Sequence, residues 1–237
     1  MPGLLASFKS TVRRRAPWLI PLYGYVVWTF IVRPRWRKLG MDVFTEHFRR
    51  NGWGNPESKS GDGSTLEQTA AVRGALPIVV RDFQLRTILD IPCGDFNWMR
   101  SVNLPVHYIG ADVVAEIVAR NRERFTTDAR SFVRLDLTAD TLPTVDLILC
   151  RDCLFHFSFA DIARALSNIK RSGARFLLTT TNTELDRNRD IVTGEWRRLN
   201  LQAFPFLLPS PLMLIDEQCP EADARDKHLG LWRVADL

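Results

Sequence analysis

Acidic side chains follow three apolar runs of the sequence at regular intervals. Asp90 ends the first run, Asp112 lies twenty-two residues later, and Asp136 another twenty-four residues on. Gly94 follows Asp90 in a turn where a ligand could approach the backbone closely. An acid at the end of a second strand accepts hydrogen bonds from ribose hydroxyls, and Asp136 could accept from an adenine amino group. The pattern predicts a site for a nucleotide-type ligand.

A second candidate group follows the fourth apolar run, in the segment 150–157. Asp152 and His156 could each act as a general base, and Arg151 could hold an anionic or polyhydroxyl substrate. Asp152 and His156 are four residues apart, so a helical turn would place them on one face. The residues also allow a local ion pair of Arg151 with Asp152 beside a partly buried His156.

The four cysteines are too few for a disulfide framework in a chain of 237 residues. Cys150 and Cys153 form a C-x-x-C pair, but neither a second pair nor a histidine cluster accompanies it. We therefore expect no metal and interpret the cysteines as small buried residues in a reducing cytosol.

Short apolar runs alternate with longer mixed segments beyond residue 85, which is typical of repeated βα units. Polar residues follow the runs, and in such sheets ligands bind outside the carboxyl ends of the strands. The predicted strands are Thr87–Ile91, His107–Ala111, Ser131–Leu135, Val145–Cys150, Arg175–Thr180, Leu212–Ile215 and His228–Val234.

Amphipathic helices are predicted at Val114–Phe125 and Phe159–Ser172. The fold class is therefore α/β, with a Rossmann-like, doubly wound, mostly parallel sheet of seven strands, helices on both faces and an N-terminal helical extension. A long segment after residue 180 contains Trp196 and three prolines. We expect it to contribute to substrate binding or to cover the site.

The positive charge of the chain is concentrated near its start. Residues 1–50 carry ten Lys/Arg and two Asp/Glu, whereas the remaining residues carry 22 and 25. The predicted organisation is a basic arm (1–50), a helical lid or cap segment (51–84) and a ligand-binding domain (85–237). Because the body is slightly acidic, the charge does not favour nucleic acid as its partner.

The apolar part of the arm, residues 16–32, is flanked by basic residues and rich in aromatic side chains. As a straight helix it would measure roughly 25 Å, short of the roughly 30 Å hydrocarbon core, and Pro17 and Pro21 oppose a regular span. Residues 13–38 suit an anionic membrane surface, and packing on the body of the protein fits equally well.

The sequence Ser64-Thr65-Leu66-Glu67 fits a capping box, with Ser64 capping a helix and Glu67 returning to its amide. Gly61 and Gly63 precede it and would permit a tight loop. Such a loop could close over a bound ligand and exclude water.

The segment around Asp90 resembles the first motif of class I S-adenosylmethionine (SAM)-dependent methyltransferases, D/E-x-G-x-G-x-G. The motif maps onto Asp90, Pro92, Gly94 and Phe96, so one of its three glycines is kept. The ordered Asp90, Gly94, Asp112 and Asp136 carry the likeness. The Gly-x-Gly-x-x-Gly of NAD-dependent dehydrogenases is absent after the first strand.

The segments 92–98 and 151–157 also resemble a bacterial subgroup of these enzymes that is associated with glycan and polysaccharide genes. Its upstream Trp-Gly and Ser/Gly-rich segment corresponds to Trp53-Gly54 and residues 58–64. The likeness covers roughly residues 50–237 and implies SAM as the cofactor. The residues implied to bind it are Asp90, Pro92, Cys93, Gly94, Asp95, Asp112, Asp136, Trp53, Ser60 and Gly61.

Methyl transfer from a sulfonium is an in-line displacement, and a hydroxyl acceptor must lose its proton. Asp152 and His156 suit an oxygen acceptor, and the absence of an Asn/Asp-Pro-Pro-aromatic motif disfavours DNA. We therefore predict a cytoplasmic methyltransferase that acts on an oxygen of a small molecule or glycan. The basic arm leaves open two alternatives, a peripheral position on the inner membrane face or packing on the body. The alternatives are an RNA or protein methyltransferase that uses the basic arm, and a non-catalytic SAM-binding or membrane-associated module.

Overall fold

The computed structural model of the chain describes residues 25–221 and 224–237. The described residues divide into two compact units, of which the first ends at Gly40 and the second begins at Met41. In the first unit, a π-helical stretch at Trp28–Val32 continues into helix α1, Arg33–Leu39. The Trp28 and Trp36 rings meet edge to face, with centroids 5.0 Å apart. The basic residues at 13–15 and most of the apolar segment lie outside the described residues. No helix of the described ranges is long and apolar enough to cross a membrane.

The second unit is built on a mixed sheet, which within the described residues has seven strands in the order β3-β2-β1-β4-β5-β7-β6. Strand β7 is antiparallel to both β5 and β6, and the other pairs are parallel. The strands are β1 Thr87–Asp90, β2 His107–Asp112, β3 Arg130–Arg134, β4 Leu147–Cys150, β5 Phe176–Asn182, β6 Met213–Asp216 and β7 Lys227–Arg233. All seven predicted strands are present, with bounds that differ by at most two residues.

Helices cover both faces of this sheet, because alternate strand residues are apolar on both sides. Ile88 packs into the core on one face together with α3 and α4, and Leu89 into the core on the other face with α5. The helices of this unit are α2 Asp42–Arg49, α3 Ala70–Asp82, α4 Ala115–Phe125 and α5 Phe159–Arg171. The predicted fold class is confirmed.

Two local predictions are wrong. Ser64 does not cap a helix: residues Asp62–Ser64 form a 3-10 turn, and α3 begins only at Ala70. The Leu66 amide donates instead to the Glu57 carboxylate, which competes with the capping box. Asp152 does not start a helical turn either, since its φ is +52°, and the following 3-10 turn covers Leu154–His156.

Candidate active site

A cavity of about 350 Å³ opens at the carboxyl ends of the parallel strands. Asp90, Asp112 and Asp152, which end or follow β1, β2 and β4, all line it, as does Asp136 beyond β3. This edge is where the chain leaves each buried strand, so polar side chains can face a ligand there without disturbing the core. The volume of the cavity lies in the ordinary range for a small-molecule pocket.

The loop after β1 turns sharply at Gly94, whose φ is +53°. The Gly94 amide donates to the Asp112 carboxylate at 3.2 Å, and the Asn121 side chain donates to the Gly94 carbonyl at 2.8 Å. A Cβ at position 94 would lie 2.3 Å from the Ser60 hydroxyl oxygen. The position therefore favours glycine both for its backbone angle and for the close approach of the segment that covers it.

Phe96 occupies the last glycine position of the resembled motif, with φ +60°. Its side chain is buried against Tyr108, Phe125 and Phe132, with ring centroids 5.1 to 5.4 Å apart. The left-handed backbone is strained for phenylalanine, and the aromatic packing offsets that cost. The position therefore contributes to the core and not to the cavity wall.

Asp112 is the carboxylate at the end of β2. It is buried, and its oxygens accept from the amides of Val114 at 2.9 Å and Gly94 at 3.2 Å. Burial raises the pKa of Asp112 to about 6, although the backbone hydrogen bonds oppose the shift. Each carboxylate oxygen still has a lone pair to offer to a hydroxyl in the cavity.

Asp90 and Asp136, two more acids at this edge, are held by uncharged donors. Asp90 is buried and accepts from the Tyr108 hydroxyl at 2.5 Å. Burial raises the pKa of Asp90 to about 7, against the effect of that hydrogen bond. Asp136 accepts from the amide and hydroxyl of Thr138 at 2.8 and 2.7 Å. Pro92 and Cys93 line the cavity between them.

The segment 53–64 forms one side of the cavity, which Trp53, Ser60 and Gly61 line. Asp95 holds this segment and does not itself line the cavity: its carboxylate accepts from the Ser58 hydroxyl at 2.9 Å and the Lys59 amide at 2.7 Å. The Ser60 hydroxyl accepts from the Asp95 amide at 3.0 Å. The structure thus places Asp95 behind the cavity wall, where it fixes the covering segment.

Arg151 also ties this segment to the sheet. Its guanidinium donates to the Gly63 carbonyl at 2.6 Å and, through two nitrogens, to one oxygen of Glu217 at 2.9 and 2.6 Å. It lies over the Trp98 ring, 5.6 Å from the centroid. The side chain is 4% exposed. Its hydrogen-bonding capacity is directed at the protein, which differs from the substrate contact expected from sequence.

Asp152 is paired with two cations. Lys227 Nζ lies 2.8 and 2.9 Å from its two carboxylate oxygens, and Arg151 lies 3.3 Å away. Burial alone would raise the pKa of Asp152, but Arg151 and Lys227 hold it below its usual value. Asp152 therefore stays ionised and is a weak proton acceptor.

Lys227 and Glu217 complete this charged network and were missed by the sequence analysis. Glu217 is buried, and its Oε2 also lies 3.4 Å from Lys227 Nζ. Both residues come from the β6–β7 region, far along the chain from Arg151. The available signal was a lysine and a glutamate placed directly beside apolar strands, where charged residues are rarely buried unless paired.

His156 lines the cavity as a neutral imidazole. Its Nδ1 donates to the Glu195 carbonyl at 3.0 Å, which assigns the proton to Nδ1 and leaves Nε2 with a lone pair. Burial lowers the pKa of His156 to about 4. The segment 193–195 fixes the histidine further, because the Gly194 amide donates to the His156 carbonyl at 2.8 Å. Asp152 and His156 line one cavity without sharing a helical turn.

The long segment after β5 supplies part of the wall, through Trp196. Trp196 is 46% exposed and meets the Phe155 ring edge-on, with centroids 6.3 Å apart. The buried Arg197 anchors the segment by donating to the carbonyls of Leu154 and Phe157 at 3.1 and 2.9 Å. Met41 and Phe44 contribute apolar side chains to the cavity wall. Both lie outside the domain 85–237 that the sequence predicted.

Cys150 and Cys153 are buried free thiols. In the described part of the chain, no group of three or more His, Cys, Asp and Glu side chains is arranged to hold a metal ion.

Similarity to known proteins indicates which reaction this cavity could serve. Residues 88–173 match the family model described as "Methyltransferase domain". These 86 of the 237 residues are therefore similar to known methyltransferase domains. The prediction of an enzyme that transfers methyl groups from SAM is confirmed at the level of this domain. The comparison with curated proteins gives no match.

Several solved structures share the fold of this chain, both in residues 88–173 and in the strands and helices around them. The N-methyltransferase NodS of Bradyrhizobium japonicum, in complex with S-adenosylhomocysteine (SAH), is 16% identical with a TM-score of 0.59, over 80% of this chain and 97% of that one. The 1,6-didemethyltoxoflavin-N1-methyltransferase of Burkholderia thailandensis, with its substrate and SAH bound, is 17% identical with a TM-score of 0.58, over 81% and 87%.

Human N-acetylserotonin methyltransferase, in complex with SAM, is 15% identical with a TM-score of 0.52. The match covers 91% of this chain and 59% of the human one, so the chain spans less than two thirds of that relative.

The residues of the cavity fit SAM. Asp112 presents a carboxylate suited to ribose hydroxyls, and Pro92, Cys93 and Gly94 line the cavity at the turn after β1. The nearby Asp136 offers an acceptor for an amino group. These acceptor groups are consistent with SAM as the cofactor.

Proposed function

We propose that the protein is a SAM-dependent methyltransferase that acts on a hydroxyl oxygen of a small molecule or glycan. The observation that carries this proposal is His156, a neutral histidine on the cavity wall whose Nδ1–H donates a hydrogen bond to the Glu195 carbonyl. Its free Nε2 can take a proton from a hydroxyl, and the cavity volume suits a small acceptor or one sugar unit. The choice of a glycan as the acceptor rests on the resemblance of the segments 92–98 and 151–157 to the glycan-associated bacterial subgroup.

In this proposal the cofactor is held by the loop after β1 and by the acids beside it. Asp112 would accept from the ribose hydroxyls and Asp136 from the adenine amino group. The backbone at 92–94, which lines the cavity together with Asp90, would contact the cofactor. Trp53, Ser60 and Gly61 cover it, and Asp95 positions that cover.

When bound, SAM would supply an electrophilic methyl group on a positively charged sulfur, and SAH would leave as the sulfur–methyl bond breaks. His156 Nε2 would take the proton of the acceptor hydroxyl whose oxygen receives that methyl group. Asp152, ionised beside Lys227 and Arg151, orients the acceptor by accepting a hydrogen bond. Arg151 fixes Asp152 and the covering segment and is a positioning residue.

Calorimetry with SAM and SAH, followed by methyl-transfer assays on hydroxyl acceptors that include sugars and glycans, tests the proposal. We expect binding of both and transfer of radiolabelled methyl to oxygen. Failure of the purified protein to bind SAM would overturn it, and transfer confined to nitrogen or to RNA would overturn the oxygen acceptor.

The segment 51–84 is proposed to act as a lid over the cofactor. A Cβ at Gly63 would lie 2.5 Å from Oδ2 of Asp152, which Lys227 and Arg151 hold in place. Gly63→Ala should push the segment outward and break the hydrogen bond from Arg151 to the Gly63 carbonyl. We expect SAM to bind roughly 10-fold more weakly in calorimetry.

Gly74→Ala is the matched control for that substitution. Gly74 is an exposed position of α3 where a Cβ meets nothing within 4 Å. Its SAM affinity should be unchanged, while its helix gains up to about 1 kcal/mol. Equal SAM affinity in the two variants would contradict the proposed role of the segment 51–84 as a lid over the cofactor.

The arm at residues 13–38 is proposed to bind the anionic inner face of the membrane. In its described part, Phe30 and Ile31 are 71% and 64% exposed, and the basic residues at 33, 35, 37 and 38 follow with no acidic residue between 25 and 40. Apolar side chains beside basic ones favour an anionic lipid surface.

Sedimentation with vesicles tests this association. The full chain should bind vesicles that contain phosphatidylserine and release at high salt, and Arg37→Glu with Lys38→Glu should weaken binding several-fold. Asp82→Lys, on the exposed end of α3, is the control for a change of charge elsewhere. Equal binding to pure phosphatidylcholine vesicles would contradict an electrostatic contact.

A further inference from the structure

Helix α2 connects two sides of the cavity. Near its start, Phe44 lines the cavity, and its ring meets the His156 ring edge-on with centroids 6.3 Å apart. At its end, the Arg49 guanidinium donates to the Glu116 carboxylate of α4 at 2.6 Å. The helix therefore reaches from α4 to the side of the cavity that holds the proposed base.

His47, in the last turn of α2, packs against the segment proposed to cover the cofactor. Its ring stacks on the Trp53 ring, with centroids 5.3 Å apart and planes 27° from parallel. The Gly52 amide donates to the His47 carbonyl at 2.8 Å, and a Cβ at position 52 would lie 2.6 Å from His47 Nδ1. Because Trp53 lines the cavity, the imidazole supports one residue of the cavity wall directly.

His47 also contacts the turn that holds His156. Burial lowers the pKa of His47, and a hydrogen bond to the Gly194 backbone opposes that shift. In the same turn, the Gly194 amide donates to the His156 carbonyl at 2.8 Å, and the Glu195 carbonyl accepts from His156 Nδ1 at 3.0 Å. The acceptor at Glu195 decides which nitrogen of His156 carries the proton, so whatever fixes this turn also fixes the base.

We infer that His47 is a positioning residue that links the cover of the cofactor to the orientation of His156. The inference rests on the proposed function, because it takes His156 as the base and the segment 51–84 as the cover. One side chain stacks on the cover and donates to the turn behind the base. Closing the cover over SAM and orienting the base would therefore occur together.

Two substitutions separate the two contacts of the imidazole. His47→Phe keeps a ring on Trp53 and removes the donor to Gly194, so SAM affinity should stay unchanged while the orientation of His156 is lost. His47→Gln keeps an N–H donor and removes the stacked ring. It should preserve the orientation of His156 and bind SAM roughly 3- to 10-fold more weakly.

Nitrogen NMR of the imidazole rings, on the ¹⁵N-labelled full-length protein with SAH, measures the orientation without any methyl acceptor. The chain has four histidines, so the spectrum is simple, and His156→Phe and His107→Gln assign two of them. Wild-type His156 should show one neutral form that is protonated at Nδ1. His47→Phe should convert this into a mixture with the form protonated at Nε2, and His47→Gln should restore the wild-type signals.

Two further variants test the same contacts without replacing His47. Gly52→Ala places a methyl group against the imidazole, so it should displace the ring and produce the mixture seen in His47→Phe. Arg49→Gln is the matched control, because it breaks an exposed ion pair at the end of the same helix. It should leave both the His156 signals and the SAM affinity as in the wild type.

Unchanged His156 signals in His47→Phe or in Gly52→Ala, in protein that keeps the wild-type circular dichroism, would overturn the inference. Unchanged SAM affinity in His47→Gln would overturn the link to the cover, and a mixture in Arg49→Gln would show that any loosening of α2 suffices and overturn it as well. SAM calorimetry on the wild-type protein separates the two proposals. No SAM binding overturns the proposed function, whereas the His156 signals still decide whether His47 orients this histidine.

Discussion

Replacing Asp112 with alanine is expected to weaken SAM binding by roughly 10²–10⁴-fold. A ribose presents two adjacent hydroxyls, and Asp112 faces the cavity with lone pairs on both carboxylate oxygens. Two charge-assisted hydrogen bonds contribute about 1.5–3 kcal/mol each. Calorimetry with SAM measures the loss.

Asp112 also accepts from the Gly94 and Val114 amides, so the variant must be shown to fold. Asp112→Asn keeps the shape and one acceptor oxygen and should lose less affinity than alanine. Asp128→Ala, an exposed acid outside the cavity, should bind SAM like the wild type. A folded Asp112→Ala protein with unchanged SAM affinity would remove Asp112 from the cofactor site.

Replacing His156 with phenylalanine is expected to lower kcat by roughly 10²–10⁴-fold, the usual contribution of a general base. Phenylalanine keeps a ring against Phe155 and Phe44 but removes Nε2. Steady-state kinetics with an identified acceptor measure the effect. The affinity of this variant for SAM should stay unchanged, which distinguishes the loss of the base from damage to the cofactor site. His107→Gln, at an exposed histidine on β2, is the matched control.

The pH profile gives that prediction a second readout. Burial lowers the pKa of His156 to about 4, so its base form persists through neutral pH, and kcat at saturating SAM should fall only as the pH drops toward 4. Burial raises the pKa of Asp112 to about 6, so its carboxylate protonates earlier and SAM affinity should weaken as the pH falls through 6. A kcat that titrated near the ordinary histidine value would contradict the assigned environment.

The charged network shows why part of the site escaped prediction. Asp90, Asp112 and Asp136 could be assigned to one sheet edge because parallel strands deliver their carboxyl ends to the same side. Glu217 reaches Arg151, and Lys227 reaches Asp152, through the antiparallel insertion of β7 between β5 and β6. That contact joins residues distant in the chain, and no local spacing signals it.

Local rules failed where tertiary contacts compete with them. Ser64 and Glu67 match a capping box, yet the amide of Leu66 bonds to Glu57, and α3 starts later. Asp95 follows the glycine turn as a cofactor residue would, but its carboxylate binds Ser58 and Lys59. In each case a hydrogen-bond partner from another segment decided the outcome.

The sequence by itself determined the α/β fold and the ordered acids at the strand ends, because hydrophobic periodicity and chain order are local properties. The tertiary structure alone decided that Arg151 serves the protein, that Asp152 is paired with Lys227, and that His156 is neutral. Those properties depend on burial and on partners brought from distant segments, since charge and protonation follow the three-dimensional environment.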